Sequence, residues 1–182
     1  MNLPNKVTLL RVFLIPAFLA VYLAQPLNET VNVWLALILF SFAAITDAVD
    51  GYLARRLSQV TNFGKLMDPL ADKLLVCSAF IAFTAVGILP AWAVIIMISR
   101  ELYVSGLRML ALEQRVVLAA SAGGKFKTVA QIVLIIYILL PFSCLIFDWA
   151  ILALTVIAIV ASLLSAWDYT VKNINVFKSK ES

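Results

Sequence analysis

Apolar residues run through this chain in long, nearly unbroken stretches, and the polar ones gather at a few places between them. Continuous apolar runs of this length are the mark of helices that lie in lipid. Six helical spans are expected, at 7–24, 32–57, 66–86, 90–112, 127–147 and 149–168, with breaks at Gln25-Pro26, at 87–90 and at Phe147-Asp148. Pro16 and Pro141 fall inside the first and fifth spans and predict bends there, which helices in lipid tolerate better than helices in water. The expected fold is therefore an all-α integral membrane protein of six transmembrane helices, preceded by an N-terminal interfacial helical segment and forming a single domain over residues 1–182.

Composition sharpens this picture. With 64% apolar and 13% charged residues and a mean hydropathy of +1.04, the chain falls in the membrane class before any motif is considered. Lys6 and Arg11 lead straight into the apolar stretch 12–24 without a small-residue cleavage site, so the first helix is expected to be retained. All fourteen basic residues occupy the N-terminus, the second and fourth connections with their flanking helix ends, or the C-terminus. By the positive-inside rule both termini and those two connections face the cytoplasm; the outer connections carry only Glu29 and Asp148. Cys77 and Cys144 both lie in apolar runs and read as small buried thiols. The absence of histidine removes imidazole metal sites and histidine bases, leaving acid–base work to carboxylates or lysines.

Length arithmetic then sets the depth of the charges. A hydrocarbon core of about 30 Å needs about 20 helical residues. Residues 128–147 and 149–167 supply that without a charge, whereas the uncharged stretches 31–46, 74–86 and 88–99 are too short and are cut off at their cytoplasmic ends. Asp47, Asp50, Asp68, Asp72, Arg100 and Glu101 must therefore lie below the membrane surface. A charge facing lipid there costs about 2.5–3.5 kcal/mol, so these side chains are expected to converge on a shared wet cavity open to the cytoplasm. On helices, Asp47 and Asp50 share a face, as do Asp68 and Asp72. Four crowded carboxylates repel unless protonated or neutralised by cations. Oxygen donors without imidazole or thiolate suit Mg²⁺ or Mn²⁺, and two such ions about 3.5–4 Å apart are a common device for in-line phosphoryl displacement.

The spacing Asp47-x2-Asp50-Gly51-x2-Ala54-Arg55-x8-Gly64-x3-Asp68-x3-Asp72 resembles, without a departure, the signature of the CDP-alcohol phosphatidyltransferase family. Six spans with cytoplasmic termini also resemble that family, so the likeness covers nearly the whole chain. The resemblance implies that an alcohol attacks the β-phosphorus of a cytidine-diphosphate lipid, giving a phosphodiester lipid and CMP. It further implies that Asp47, Asp50, Asp68 and Asp72 hold two divalent cations, Mg²⁺ or Mn²⁺, with Asp72 also taking the proton of the attacking hydroxyl. Gly51 and Ala54 are small where the nucleotide of CDP-diacylglycerol must lie close to a helix, and Arg55 can meet a phosphate through its planar fork. Thr61 stands where the family contacts the cytidine diphosphate group. Gly64 would permit a tight turn or close approach before the third helix, and Asn5 and Thr8, in Asn5-x2-Thr8-x2-Arg11, resemble the family's nucleotide-facing segment.

The acceptor is read from a second cluster. Arg100, Arg108, Lys125 and Lys127, with Glu101 among them, put a positive excess beside the expected cavity, and an acceptor that carries its own phosphate needs such a pocket. The stretches SRELYVSGLR (99–108) and GGKFKTVAQ (123–131) resemble those of family members whose acceptor is glycerol 3-phosphate. This suggests Arg108, Lys125 and Lys127 as phosphate ligands, with Arg100 a further one or a partner for Glu101. Inositol phosphate would need similar cations; serine would not. A cation-coupled transporter or a scaffold are the competing classes, and neither gives the glycines and Arg55 a reason for their spacing. The expected partners are CDP-diacylglycerol, glycerol 3-phosphate, membrane lipid and a second copy of the chain, with no nucleic acid; the expected location is the inner or plasma membrane.

Overall fold

The computed structural model describes residues 3–57, 62–113, 122–141 and 145–173; within them the side chains of residues 3–8, 29, 47–57, 62–70, 72, 112–113 and 122 lie outside the description. The described residues form six helices and no strand: α1 (Leu3–Ala24), α2 (Glu29–Leu57), α3 (Asn62–Ala85), α4 (Ala91–Glu113), α5 (Ala122–Ile138) and α6 (Leu145–Lys172). By length and composition one of them, α6, is long and apolar enough to cross a membrane, its 28 residues spanning about 42 Å at about 1.5 Å each. Leu9–Ala24, Thr30–Thr46 and Lys73–Ala85 are shorter apolar stretches within α1, α2 and α3. The helices separate into two compact units, one of α1, α2, α3 and the end of α5, the other of α4, most of α5 and α6.

In the first unit α1 packs against both α2 and α3. The join is aromatic: Phe18 stacks on Tyr22 at a centroid distance of 5.9 Å and meets Phe40 of α2 at 5.9 Å, while Tyr22 meets Phe83 of α3 edge-on at 5.3 Å. Such offset and edge-to-face pairs add about 0.5–1.5 kcal/mol each beyond the area they bury. On α2 the buried residues Asn32, Ala36, Phe40 and Ala43 recur every three or four positions, and on α3 Ala71, Leu75, Val76, Ala79, Phe80 and Phe83 do the same.

Chain reversals follow local chemistry. Gln25, at φ 44°, caps α1 in the left-handed region before Pro26. Asn32 holds the 27–28 connection by donating from Nδ2 to the carbonyl of Leu27 (2.8 Å) and accepting from its amide (3.3 Å). After α3, Gly87 takes φ 79°, its amide bonds to Thr84 and that of Ile88 to Phe83. This is the paired-bond helix end that glycine favours, and Pro90 follows to stop any continuation.

In the second unit the buried positions of α4 include Ala93, Met97, Arg100, Val104, Leu107 and Ala111, and those of α6 include Thr155, Ala158, Ser162, Ser165 and Tyr169. Steps of three and four make each a narrow seam, as in knobs-into-holes packing, and Val104, Leu107 and Tyr169 close one cluster of it. Outward-facing Ile95, Leu102, Met109, Ile146, Leu163 and Leu164 are exposed, as a helix surface meant for acyl chains would be. Trp92 and Trp149, near helix starts, and Trp167, near a helix end, are exposed too and suit the lipid–water boundary.

Several boundaries differ from expectation. The fifth helix ends at Ile138 rather than 147, and the break lies before Pro141 instead of at Phe147-Asp148. Pro141 disfavours helix in the residue before it and lacks the amide a helix would use; the chain tightens through bonds from Leu139 to Ile135 and Leu140 to Tyr137. Pro141 thus terminates a helix rather than bending one, and Asp148 falls in the first turn of α6, where the helix dipole favours a carboxylate. Pro16 stays inside α1, and the N-terminal interfacial segment is not separate but continuous with that helix. Lys125, expected in the connection before the fifth helix, is helical, as is Lys127 at that helix's expected start. Gly64 lies within α3 instead of in a turn before it: Asn62 is of a type favoured at helix starts, and one glycine costs a helix only about 1 kcal/mol.

Candidate active site

Residues of the aspartate motif fall on two helices of the first unit. Asp47, Asp50, Gly51, Ala54 and Arg55 belong to α2; Gly64, Asp68 and Asp72 belong to α3; Asn5 and Thr8 belong to the first turns of α1. Thr61 lies outside the described residues, as do the side chains of the others named here. Backbone register still carries information. Asp47 and Asp50 stand four and seven residues beyond Ala43 on α2, and Asp68 and Asp72 stand seven before Leu75 and Ala79 on α3. Among the described residues no three potential metal ligands cluster. The chemistry of the donor set fits hard divalent cations, four carboxylates in a chain without imidazole.

The cationic residues belong to the second unit, and their side chains are described. Arg100 and Glu101, on α4, and Lys127, on α5, are 9%, 7% and 4% exposed. Glu101 Oε1 accepts from Lys127 Nζ in an ion pair and lies 3.4 Å from Arg100 Nη1. Arg100 Nη2 donates to Ser165 Oγ of α6 at 2.5 Å. One carboxylate thus serves two buried cations and leaves a net charge of +1 between three helices. Isolated buried charges are prohibitively costly, so this balance is what allows Arg100 and Lys127 to sit away from water. At Gly123, a Cβ would lie 3.7 Å from the Cα and Cβ of Ser165, so α5 and α6 run nearly backbone to backbone beside the triad.

Arg108 lies two turns beyond Arg100 and is exposed; its Nε donates to the Tyr169 hydroxyl at 3.3 Å and its guanidinium covers the Tyr169 ring at 5.7 Å. Tyr103 and Thr170 share a hydroxyl pair at 3.1 Å. Of the four cations, then, Arg100 and Lys127 are brought together by Glu101, Arg108 is steered by Tyr169, and Lys125 is exposed on another face of α5. Two residues of helix rotate a side chain by about 200°, which is why Lys125 and Lys127 part company.

Sequence reasoning missed Ser165, Tyr169, Gln131 and Ser162, all buried on the same seams. The available signal was polar residues recurring at three-and-four spacing inside otherwise apolar helices, which in lipid face a neighbour rather than the tails.

The first unit thus carries the four aspartates on two helices, and the second holds two buried cations around one carboxylate. The chain belongs to the CDP-alcohol phosphatidyltransferase family, whose model matches residues 1–165, and it is accordingly a phosphatidyltransferase. It is 45% identical to the CDP-diacylglycerol–glycerol-3-phosphate 3-phosphatidyltransferase of Bacillus subtilis (strain 168), over 98% of both chains. It is also 42% identical to the enzyme of that name from Escherichia coli (strain K12), over 76% of each chain. With the Mycoplasma pneumoniae enzyme of the same name it shares 34% identity over 82% of this chain and 70% of the relative.

Proposed function

We propose that this protein transfers the phosphatidyl group of CDP-diacylglycerol to glycerol 3-phosphate, giving phosphatidylglycerophosphate and CMP. The observation that carries the reading is the 45% identity, over 98% of both chains, to a relative named for that reaction. Two Mg²⁺ or Mn²⁺ ions held by Asp47, Asp50, Asp68 and Asp72 would supply Lewis-acid polarisation of the pyrophosphate oxygens. The chain's own residues do the rest. Arg55 grips a phosphate of the cytidine diphosphate group, with Gly51 and Ala54 leaving room for the nucleotide on α2 and Asn5, Thr8, Thr61 and Gly64 completing its binding. Arg100, Arg108 and Lys127 bind the acceptor's phosphate, and Lys125 draws it in from the exposed face of α5.

The step is a direct displacement. A primary hydroxyl oxygen of glycerol 3-phosphate bonds to the β-phosphorus, its proton passes to the Asp72 carboxylate, and the bond from that phosphorus to the bridging oxygen breaks, releasing CMP. The lipid product keeps the acceptor's phosphate. Six spans carry this chemistry as one domain, with both termini and the site on the cytoplasmic side of the plasma membrane, in a homodimer.

Purified protein in detergent, given CDP-diacylglycerol and Mn²⁺ or Mg²⁺, is expected to release CMP with glycerol 3-phosphate and not with serine. Chelation should abolish release and restored cation should recover it. Asp68→Asn should lower kcat at least about 10³-fold with the fold intact by circular dichroism, in keeping with the weight such electrostatic groups carry. Turnover with serine alone, or undiminished turnover in chelator, would overturn the reading.

A further inference from the structure

Ser165 of α6 is the neutral member of the charged cluster in the second unit. It is buried, and its hydroxyl oxygen accepts from Arg100 Nη2 at 2.5 Å across 65 residues of chain. Two other hydroxyls of the same helix are spent locally: Thr155 and Thr170 donate to the carbonyls of Ile151 and Ala166, one turn back. Ser165 bonds across to α4 instead, at the place where α5 also comes close through Gly123.

This bond changes how Arg100 meets its carboxylate. An arginine and a carboxylate commonly pair fork to fork through two parallel N–H···O bonds. Arg100 and Glu101 share one long contact, 3.4 Å from Nη1 to Oε1, and that same oxygen takes Lys127 Nζ. Nη2 is turned to Ser165, and Nε, buried, has no hydrogen-bond partner among the described residues. The guanidinium is thus divided between a shared carboxylate and a neutral oxygen. A neutral acceptor occupies a donor without cancelling charge, so the cluster keeps its excess of +1 and one N–H unspent. Buried donors in native interiors are nearly always satisfied, and an anion with several acceptor oxygens is the chemistry that completes an unspent N–H on a cation.

We propose that Ser165 is a positioning residue for the acceptor: by holding Nη2 it keeps Arg100 out of a closed pair with Glu101 and leaves the Nε edge free for the acceptor's phosphate. This rests on the reading that Arg100 binds that phosphate; Ser165 acts only through the arginine. Without the serine oxygen the fork closes on Glu101, and a phosphate must then compete with a carboxylate for the same donors. The substitution that tests this should leave the fold intact. Ser165 lines a groove of about 680 Å³ along α6, with Phe126, Ala161, Leu164 and Asp168, so truncating it opens onto existing space and seals no void.

The test measures KM for both substrates in the purified full chain, together with competitive inhibition by inorganic phosphate against glycerol 3-phosphate. Ser165→Ala should raise KM for glycerol 3-phosphate about tenfold or more, the weight of one hydrogen bond to a charged group. The inhibition constant of phosphate should rise in parallel, with kcat and KM for CDP-diacylglycerol within about threefold of the unaltered protein. In an Arg100→Lys background, which has no fork to divide, adding Ser165→Ala should raise KM for glycerol 3-phosphate no more than about twofold further. An unchanged KM for glycerol 3-phosphate, a rise in both KM values together, or the full Ser165→Ala effect on top of Arg100→Lys overturns the proposal. If Ser165→Ala does not fold, Ser165→Cys fills the same space with a weaker acceptor and carries the same comparisons. Arg100→Lys that by itself leaves KM for glycerol 3-phosphate unchanged would overturn the underlying reading instead, and this one with it.

Discussion

Glu101 holds together two cations that could not otherwise stay buried, so the molecule's response to losing it is specific. Glu101→Gln should destabilise the protein by about 3–5 kcal/mol, the usual result of removing one partner of a buried ion pair, measured by thermal unfolding in detergent. Adding Lys127→Met should return part of that stability, since the uncompensated charge then goes as well; a purely additive double variant would contradict the triad. The charges at 100, 101 and 127 were visible in the sequence, and span length gave the expectation that Arg100 and Glu101 lie away from water, as their burial bears out. Their partners were not, because Ser165 lies 65 residues from Arg100 and nothing local announces which of many serines a distant arginine will meet. The divergence of Lys125 from Lys127 follows from helical geometry, but only once α5 is known to begin before them.

At the scale of the element, helix ends separate what local chemistry sets from what packing sets. Gly87 ends α3 by adopting a left-handed conformation, and a Cβ there would meet no neighbour within 4 Å. Gly87→Ala should therefore cost about 1–2 kcal/mol through backbone strain alone, read as a lower unfolding temperature without change in KM. A larger loss would mean that a steric clash, not conformation, decides the position. This end was legible because glycine and proline are written in the sequence. The junction between α5 and α6 was misread because hydropathy continues unbroken across 139–147, and an apolar run does not say where its backbone must turn; Pro141 does, through its missing amide. Gly123 and Gly124 read as a loop, yet they are helical, the close approach of α5 to α6 at Ser165 compensating their weak propensity.

Taken whole, the molecule is a set of helices whose outward apolar faces suit lipid and whose inward seams hold buried polar side chains. Its orientation is open to direct measurement. In a chain with Cys77 and Cys144 replaced by alanine, a cysteine at Lys178 should react with impermeant reagent only from the cytoplasmic side, and one at Asn28 or Asp148 only from the other. Labelling of both sets from one side would rule out the six-span arrangement. All-helical architecture, membrane class and family could be read from the chain alone, because apolar run length and the aspartate spacing on single helices are local properties governed by a 1.5 Å rise and a 3.6-residue period. What only the tertiary structure decided is which polar groups meet across helices: that Glu101 shares itself between Arg100 and Lys127, that Ser165 meets Arg100, and that Tyr169 steers Arg108. Inside an apolar helix no water competes for such groups, so their pairing depends on how neighbouring seams come into register, and that register is a property of the packed helices together.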